Sequence, residues 1–116
     1  MKLPRPRITL AVLGALLVLI ATLYARVAVT ADEVPPEQIV MKDFKFTPMS
    51  LTVKAGATVM WANKDDEPHT VVSDSGLFRS GAIDTDGTFS FRFDRPGTYH
   101  FICSIHPQMV GTVVVQ

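Results

Sequence analysis

The C-terminal part of the chain contains three side chains of the kinds that bind soft metal ions. Cys103, His106 and Met109 follow one another as Cys-x-x-His-x-x-Met, which brings a thiol, an imidazole and a thioether onto one short segment. Donors of this softness suit copper better than calcium or magnesium. A trigonal copper site with a weak axial methionine needs one cysteine and two histidines. One imidazole must therefore come from elsewhere in the chain.

The choice of the second imidazole lies between His69 and His100. His100 precedes Cys103 by three residues on a predicted strand, and the alternation of side chains along a strand turns it to the opposite face. We therefore predict that His69, Cys103, His106 and Met109 bind one copper ion per chain in a type 1 site.

Each of these residues has an ordinary explanation when it is taken alone. Met109 could belong to the core, His69 and His106 to loops or turns, and Cys103 could be a small buried hydrophobe. The combination of all four at this spacing favours a metal site. The cysteine count points the same way, because the single thiol of an exported protein has to be explained by burial, metal binding or an intermolecular disulfide.

Short strands separated by turns must position these ligands. Strands are predicted over residues 39–46, 51–53, 58–62, 71–72 and 88–93, and two more flank the loop 103–109. The cleanest alternation places Phe89, Phe91 and Phe93 on one face, so that strand should cover a core. Residues 73–86 are expected to be mostly loop. With no helical period after residue 32, the pattern predicts an all-β antiparallel sandwich.

The N-terminal part has a different composition. Basic residues precede an apolar run over residues 8–25, and the small residues at 29–31 resemble a signal-peptide cleavage site. Residues 1–31 are therefore predicted to be a signal peptide or, if retained, an N-terminal helix that tethers the protein to the membrane. Residues 32–37 read as a linker and 38–116 as the working domain, which we expect on the periplasmic or extracytoplasmic side.

The charge of the exported part argues against one class of partner. From residue 32 onward there are seven Lys and Arg and eleven Asp and Glu, which gives 7 − 11 = −4. Because binding of nucleic acid calls for a basic patch, we expect no nucleic-acid partner.

Several short motifs together resemble the cupredoxins of the plastocyanin and azurin superfamily, and within it most closely the amicyanins, whose ligand loop has the same Cys-x-x-His-x-x-Met spacing. The resemblance also covers Phe46-Thr47-Pro48, Val53-Lys54-Ala55-Gly56, Val59-Met60-Trp61-Ala62-Asn63, Pro68-His69-Thr70-Val71 and Gly97-Thr98-Tyr99. It implies a cupredoxin-like Greek-key sandwich and the same four copper ligands. It also implies a monomeric one-electron carrier whose partners are redox proteins, such as a dehydrogenase, a c-type cytochrome or an oxidase.

Three positions depart from the family pattern. Thr70 stands where asparagine is common, which leaves the side-chain hydrogen bonds around the thiolate in question. Ile105 replaces a proline of the amicyanins and adds a backbone N–H near the sulfur. Gln108 replaces an aromatic residue on the loop, which weakens the inference that the docking surface and the partner are those of an amicyanin.

Other functions are weighed against this interpretation. An enzyme is not expected, because four protein ligands leave no open position for a substrate. The main alternative is a copper carrier or chaperone that moves the ion rather than electrons, but the remaining methionines are scattered through the sequence rather than clustered. A metal-free adhesion or interaction sandwich is the third alternative.

Overall fold

Eight strands form the part of the chain described by the computed structural model, which is residues 36–116. The predicted export segment 1–31 and residues 32–35 of the predicted linker lie outside these residues. The strands are β1 (Glu37–Lys42), β2 (Lys45–Thr47), β3 (Ser50–Val53), β4 (Ala57–Asn63), β5 (Val72–Ser73), β6 (Thr88–Phe93), β7 (Gly97–Ile102) and β8 (Val110–Val115). No helix within residues 36–116 has the length and apolar character needed to cross a membrane.

Two four-stranded sheets enclose the core, which confirms the predicted β-sandwich. Their strand orders are β2-β1-β4-β6 and β3-β8-β7-β5. Alternate residues of β4 and β6 face inward as expected, with Val59, Trp61 and Phe93 buried between the sheets. The Trp61 ring packs edge-on against Phe101 of the opposite sheet, with ring centroids 5.4 Å apart. This contact joins the two layers next to the strand that leads to Cys103.

The prediction of a purely antiparallel sandwich is wrong at two places. β1 pairs in parallel with β4, so that Ile39 lies opposite Trp61, and β3 pairs in parallel with β8. Parallel neighbours cannot be joined by a tight hairpin. Here the chain crosses between the sheets instead, and turn spacing alone does not reveal such long-range pairs.

The predicted first strand, residues 39–46, is in fact two strands. The chain reverses at Asp43 and Phe44, and Lys42 then pairs with Lys45 in an antiparallel ladder. Both turn residues have positive φ, 52° and 56°. Two-residue hairpin turns of this kind usually contain Asn-Gly or Asp-Gly, and the absence of a glycine is why the break was not predicted.

The hairpin formed by β7 and β8 carries the ligand loop, as predicted. The two strands pair antiparallel, with Gly97 opposite Val115 at one end of the ladder and Ile102 opposite Val110 at the other. Residues 103–109 are the connection at one end of this ladder. His100 is exposed on the outer face, where its Nδ1 lies 2.9 Å from the hydroxyl of Thr112. His100 therefore lies on the face that the alternation along the strand predicts, turned away from Cys103.

Candidate metal centre

His69 is fixed by its backbone and by its side chain. Its N–H and C=O form both hydrogen bonds of an antiparallel bridge with Ile83, at 3.1 and 2.8 Å. The ring is fully buried, and Nε2 lies 2.7 Å from a carboxylate oxygen of Asp65. Because an ionised carboxylate can only accept, Nε2 carries a proton, and in the neutral imidazole the lone pair is then on Nδ1. The unprotonated nitrogen is therefore the one that faces the loop 103–109.

The loop is closed by its own backbone. The N–H of Cys103 donates to the carbonyl of Met109 at 3.1 Å, and the N–H of Met109 donates to the carbonyl of His106 at 2.9 Å. These bonds curl the loop, so that Cys103 and Met109 are both buried while His106 is partly exposed. One short loop therefore supplies a thiol, an imidazole and a thioether within a single turn of chain.

Three donor atoms converge between this loop and His69. The Cys103 Sγ lies 3.8 Å from Nδ1 of His69 and 3.8 Å from Nδ1 of His106. The two Nδ1 atoms are 3.2 Å apart. Within the described residues, these three side chains form a group whose donor atoms all lie within 4.8 Å of one another. The structure thus brings together three of the four predicted ligands, and it buries Met109 on the same loop.

The spacing of these donors fits one shared metal ion. With bonds of about 2.0 Å to nitrogen and about 2.3 Å to sulfur, an ion with trigonal angles separates nitrogen from sulfur by about 3.7 Å and the two nitrogens by about 3.5 Å. Both sulfur–nitrogen distances are 3.8 Å, and the two nitrogens, 3.2 Å apart, lie slightly closer together. Soft thiolate and imidazole donors in a plane, with a weak axial thioether, are the ligands of a blue-copper site. The residues therefore fit copper by chemistry and by spacing.

Hydrogen bonds favour the ionised form of Cys103. Burial raises the pKa of its thiol, but hydrogen bonds from the backbone N–H of Thr70, from the backbone and side chain of His106 and from the backbone N–H of Ile105 outweigh burial, so the pKa lies below its ordinary value. The Thr70 N–H donates to Sγ at 3.3 Å. The thiolate is the metal-binding form of cysteine. The N–H that Ile105 adds in place of proline is one of the donors that lower this pKa.

Thr70 stands where asparagine is common in the family, and its side chain does form hydrogen bonds around Cys103. Its hydroxyl lies 3.8 Å from Cys103 Sγ, so the side chain does reach the sulfur. Its oxygen accepts the N–H of Ser104 at 2.7 Å and lies 2.8 Å from the Ser104 hydroxyl. Thr70 therefore links the His69 segment to the ligand loop through side-chain as well as backbone hydrogen bonds.

Asp65 and Phe44 are site residues that the sequence analysis missed. Asp65 lies between two predicted strands, 58–62 and 71–72, and Phe44 within the predicted strand 39–46. Burial raises the pKa of the Asp65 carboxyl, but hydrogen bonds from the N–H groups of Phe44, His69 and Asp43 outweigh it, so the pKa is lowered. The four-residue spacing between Asp65 and His69 was the available signal, although such spacing is common by chance.

One ligand approaches the protein surface. The His106 side chain is 19 % exposed, and its outward Nε2 lies 3.5 Å from a carboxylate oxygen of Glu67. Around it, the side chains of Phe44 and Ile105 are 40 % and 49 % exposed. His69, in contrast, is completely buried. The surface around His106 therefore combines an imidazole edge with apolar side chains.

Comparison with known proteins gives the chain's relatives. The family model of the cupredoxin-like domain matches residues 12–115. Amicyanin of Paracoccus versutus is 33% identical over 95 residues, covering 76% of this chain and 72% of that protein. Plastocyanin of Scenedesmus fuscus is 38% identical over 84 residues, covering 61% of this chain and 86% of that protein.

Similarity in structure agrees with similarity in sequence. The Cu(I) form of an amicyanin variant aligns with a TM-score of 0.67 at 30% identity, covering 72% of this chain and 87% of that one. A copper-containing nitrite reductase of Thermus scotoductus also aligns, with a TM-score of 0.67 at 27% identity, but the match covers only 22% of that larger chain. The same sandwich thus occurs both in small proteins and as part of an enzyme.

Proposed function

Since the chain belongs to the cupredoxin-like family, we propose that it is an extracytoplasmic type 1 copper protein that carries one electron at a time between redox partners. His69, Cys103, His106 and Met109 would hold the copper, with the thioether of Met109 as the weakest of the four donors. When bound, copper supplies a centre that cycles between Cu(I) and Cu(II). The observation that carries this proposal is the convergence of one sulfur and two nitrogens, each nitrogen 3.8 Å from the sulfur.

The protein's contribution is to hold these donors in one arrangement. His69 is fixed by its bridge to Ile83 and by Asp65, and the loop is fixed by its internal backbone bonds. A rigid arrangement that suits both oxidation states keeps the structural change during electron transfer small. This favours transfer of electrons over release of the ion.

His106 is the proposed point of electron exit and entry. Its ring is the exposed ligand edge, and the neighbouring Pro107 and Gln108 are exposed on the same loop. Loops at the end of a rigid scaffold commonly carry binding surfaces. A redox partner such as a dehydrogenase, a c-type cytochrome or an oxidase would dock over this edge.

The proposed location follows from the N-terminal sequence. A basic start, an apolar run at residues 8–25 and small residues at 29–31 are typical of an export segment. The protein would act in the periplasm, either released or tethered through residues 8–25. Cell fractionation with and without this segment tests both alternatives.

One spectrum tests the function. The purified protein loaded with Cu(II) is expected to be intensely blue and to bleach reversibly with a reductant, because sulfur-to-copper charge transfer requires the Cys103 thiolate. Cys103→Ala should remove the band while the sandwich stays folded. His100→Ala is the matched control, since it removes an imidazole that lies outside the site.

The alternatives give different results. A colourless protein that binds Cu(I) and readily loses it would support a copper chaperone, and a protein that binds no copper would support a metal-free interaction domain. Retention of the blue band in Cys103→Ala would overturn the ligand assignment.

A further inference from the structure

The buried carboxylate of Asp65 connects the candidate copper ligand His69 to the strained turn between β1 and β2. Oδ2 of Asp65 accepts from Nε2 of His69 at 2.7 Å and from the N–H of Phe44 at 3.0 Å. Oδ1 accepts from the N–H of Asp43 at 2.7 Å. Asp65 is 6% exposed, so these three donors largely satisfy its charge in place of water.

The turn that Asp65 holds is unusual for its sequence. Asp43 and Phe44 both adopt the left-handed conformation, with φ of 52° and 56°. Residues other than glycine rarely adopt this conformation, and bulky ones are clear outliers there. Successive N–H groups in such a turn point to one side, where they can share an anion. The carboxylate of Asp65 is that anion.

The turn at Asp43 and Phe44 positions the ring of Phe44. The ring lies edge-on to His69, with centroids 5.4 Å apart and planes at 87°. It also lies edge-on to His106, at 4.9 Å and 84°. Phe44 therefore packs against both imidazoles of the candidate site, and it remains 40% exposed on the outside.

We propose that Asp65 is a positioning residue that sets the His69 ring in its metal-binding orientation and, through the Asp43–Phe44 turn, seats the Phe44 ring as a cap over both histidines. Orientation of a ligating histidine by a carboxylate on its second nitrogen is a general device in metal sites. The addition here is that the same carboxylate also holds the cap. The role of Asp65 in metal binding rests on the proposed function, whereas its contacts with His69 and with the turn exist without a metal.

Asp65→Asn is the discriminating variant, because asparagine has the same shape but only one accepting oxygen. If its amide NH2 takes the place of Oδ2, His69 and the N–H of Phe44 both lose their acceptor and the ring proton of His69 moves to Nδ1. If the NH2 takes the place of Oδ1, the N–H of Asp43 loses its acceptor. Asp66→Asn is the matched control, since it removes the same charge from the exposed neighbouring residue.

Two measurements on the copper-free protein test the coupling. Nitrogen-15 NMR of the imidazole rings should show His69 protonated at Nε2 in the wild type, and a changed His69 ring when the amide NH2 of Asp65→Asn takes the place of Oδ2. Hydrogen exchange should be faster at the amide that loses its acceptor, which is Phe44 in that orientation and Asp43 in the other. Asp66→Asn should change neither result. If a folded Asp65→Asn protein shows both the wild-type imidazole spectrum and the wild-type amide exchange rates, the proposal is overturned.

Copper binding then tests the role of the coupling. Asp65→Asn should weaken copper affinity by about 10–100-fold, as is usual when the partner of a ligating histidine is removed. An equal loss in Asp66→Asn would show that charge alone is responsible, and would overturn the positioning role. If the wild type binds no copper, the proposed function fails, while the copper-free measurements still decide whether Asp65 couples His69 to the turn.

A second variant covers the case in which Asp65→Asn does not fold. Phe44→Leu keeps the backbone N–H groups that Asp65 accepts, but it removes the ring. It should leave the His69 proton on Nε2 and accelerate copper loss to a chelator several-fold. Unchanged copper loss would overturn the role of the cap.

Discussion

The side-chain oxygen of Thr70 lies 2.7 Å from the backbone nitrogen of Ser104 and 2.8 Å from the Ser104 hydroxyl. When that hydroxyl donates, both acceptor positions of the Thr70 oxygen are occupied. The hydroxyl proton of Thr70 is then free to point toward Cys103 Sγ, 3.8 Å away. Thr70 would thereby offer the thiolate a second donor besides its backbone N–H.

Thr70→Val should lower the reduction potential. Loss of a hydrogen bond to the thiolate makes the sulfur a stronger donor, which favours Cu(II). A long bond of this kind contributes about 1 kcal/mol, which corresponds to about 40 mV for one electron. Voltammetry measures the shift. Ser104→Ala, which leaves the Thr70 hydroxyl in place, should shift the potential less, and an equal shift in both variants would contradict the assignment.

Met109→Ala should retain copper but lose stability. An axial thioether contributes weakly to copper binding and helps to set the potential, so the potential should change while the metal stays. Because Met109 is only 1% exposed, its truncation leaves a cavity that costs about 2–5 kcal/mol in the free energy of unfolding. Metal analysis tests whether copper is retained, and urea denaturation measures the loss in the free energy of unfolding. Met49, which is 59% exposed, provides the control: Met49→Ala should change neither the copper content nor the stability. Complete copper loss in Met109→Ala would rule out the role of Met109 as a weak ligand.

Gly111→Ala should destabilise the hairpin that carries the ligand loop. A Cβ at position 111 would contact the Phe101 ring, with Cε2 only 2.6 Å away. Phe101 is buried directly opposite on β7, so relief requires a shift of packed groups. Overpacking of this kind costs about 1–3 kcal/mol, which a thermal melt would detect. Gly81→Ala, whose Cβ would meet open space, is the control, and equal melting of both variants would show that the ring moves freely.

Charge at position 108 should affect electron exchange without affecting the copper. Gln108 is exposed on the ligand loop next to His106, in a domain with a net charge of −4. Gln108→Glu should therefore add repulsion between two copies and slow self-exchange, measured by NMR line broadening, whereas Gln108→Lys should reduce the repulsion and speed it. The visible spectrum should stay the same. Lys54→Glu is the control, because Lys54 follows the end of β3 that pairs with Val115, away from the loop. Unaltered exchange for both charges at position 108 would place the electron port elsewhere.

Local patterns sufficed to predict the hairpin and the convergence of its donors. Cys103, His106 and Met109 lie on one short loop, and the strand β6 has clean alternation, so neither prediction depended on distant contacts. The assignment of His69 followed by elimination of His100, whose exposed position agrees with the strand period.

Features that depend on distant residues could not be predicted. The turn at Asp43 and Phe44 has no turn sequence of its own and is held by Asp65, more than twenty residues away. The parallel pairs β1–β4 and β3–β8 likewise join segments that no local pattern relates. In each case, the structure is determined by a tertiary contact that overrides the local preference.

The separation of the donors along the chain has a consequence for the order of folding. Three donors belong to a loop of seven residues, whereas His69 precedes Cys103 by 34 positions. A hairpin closes in about 1–10 μs, while contacts between distant segments form more slowly because more chain entropy is lost. We therefore expect the three-donor loop to form before His69 arrives, so that copper present during refolding would bind the hairpin first and stabilise it until the sandwich is complete.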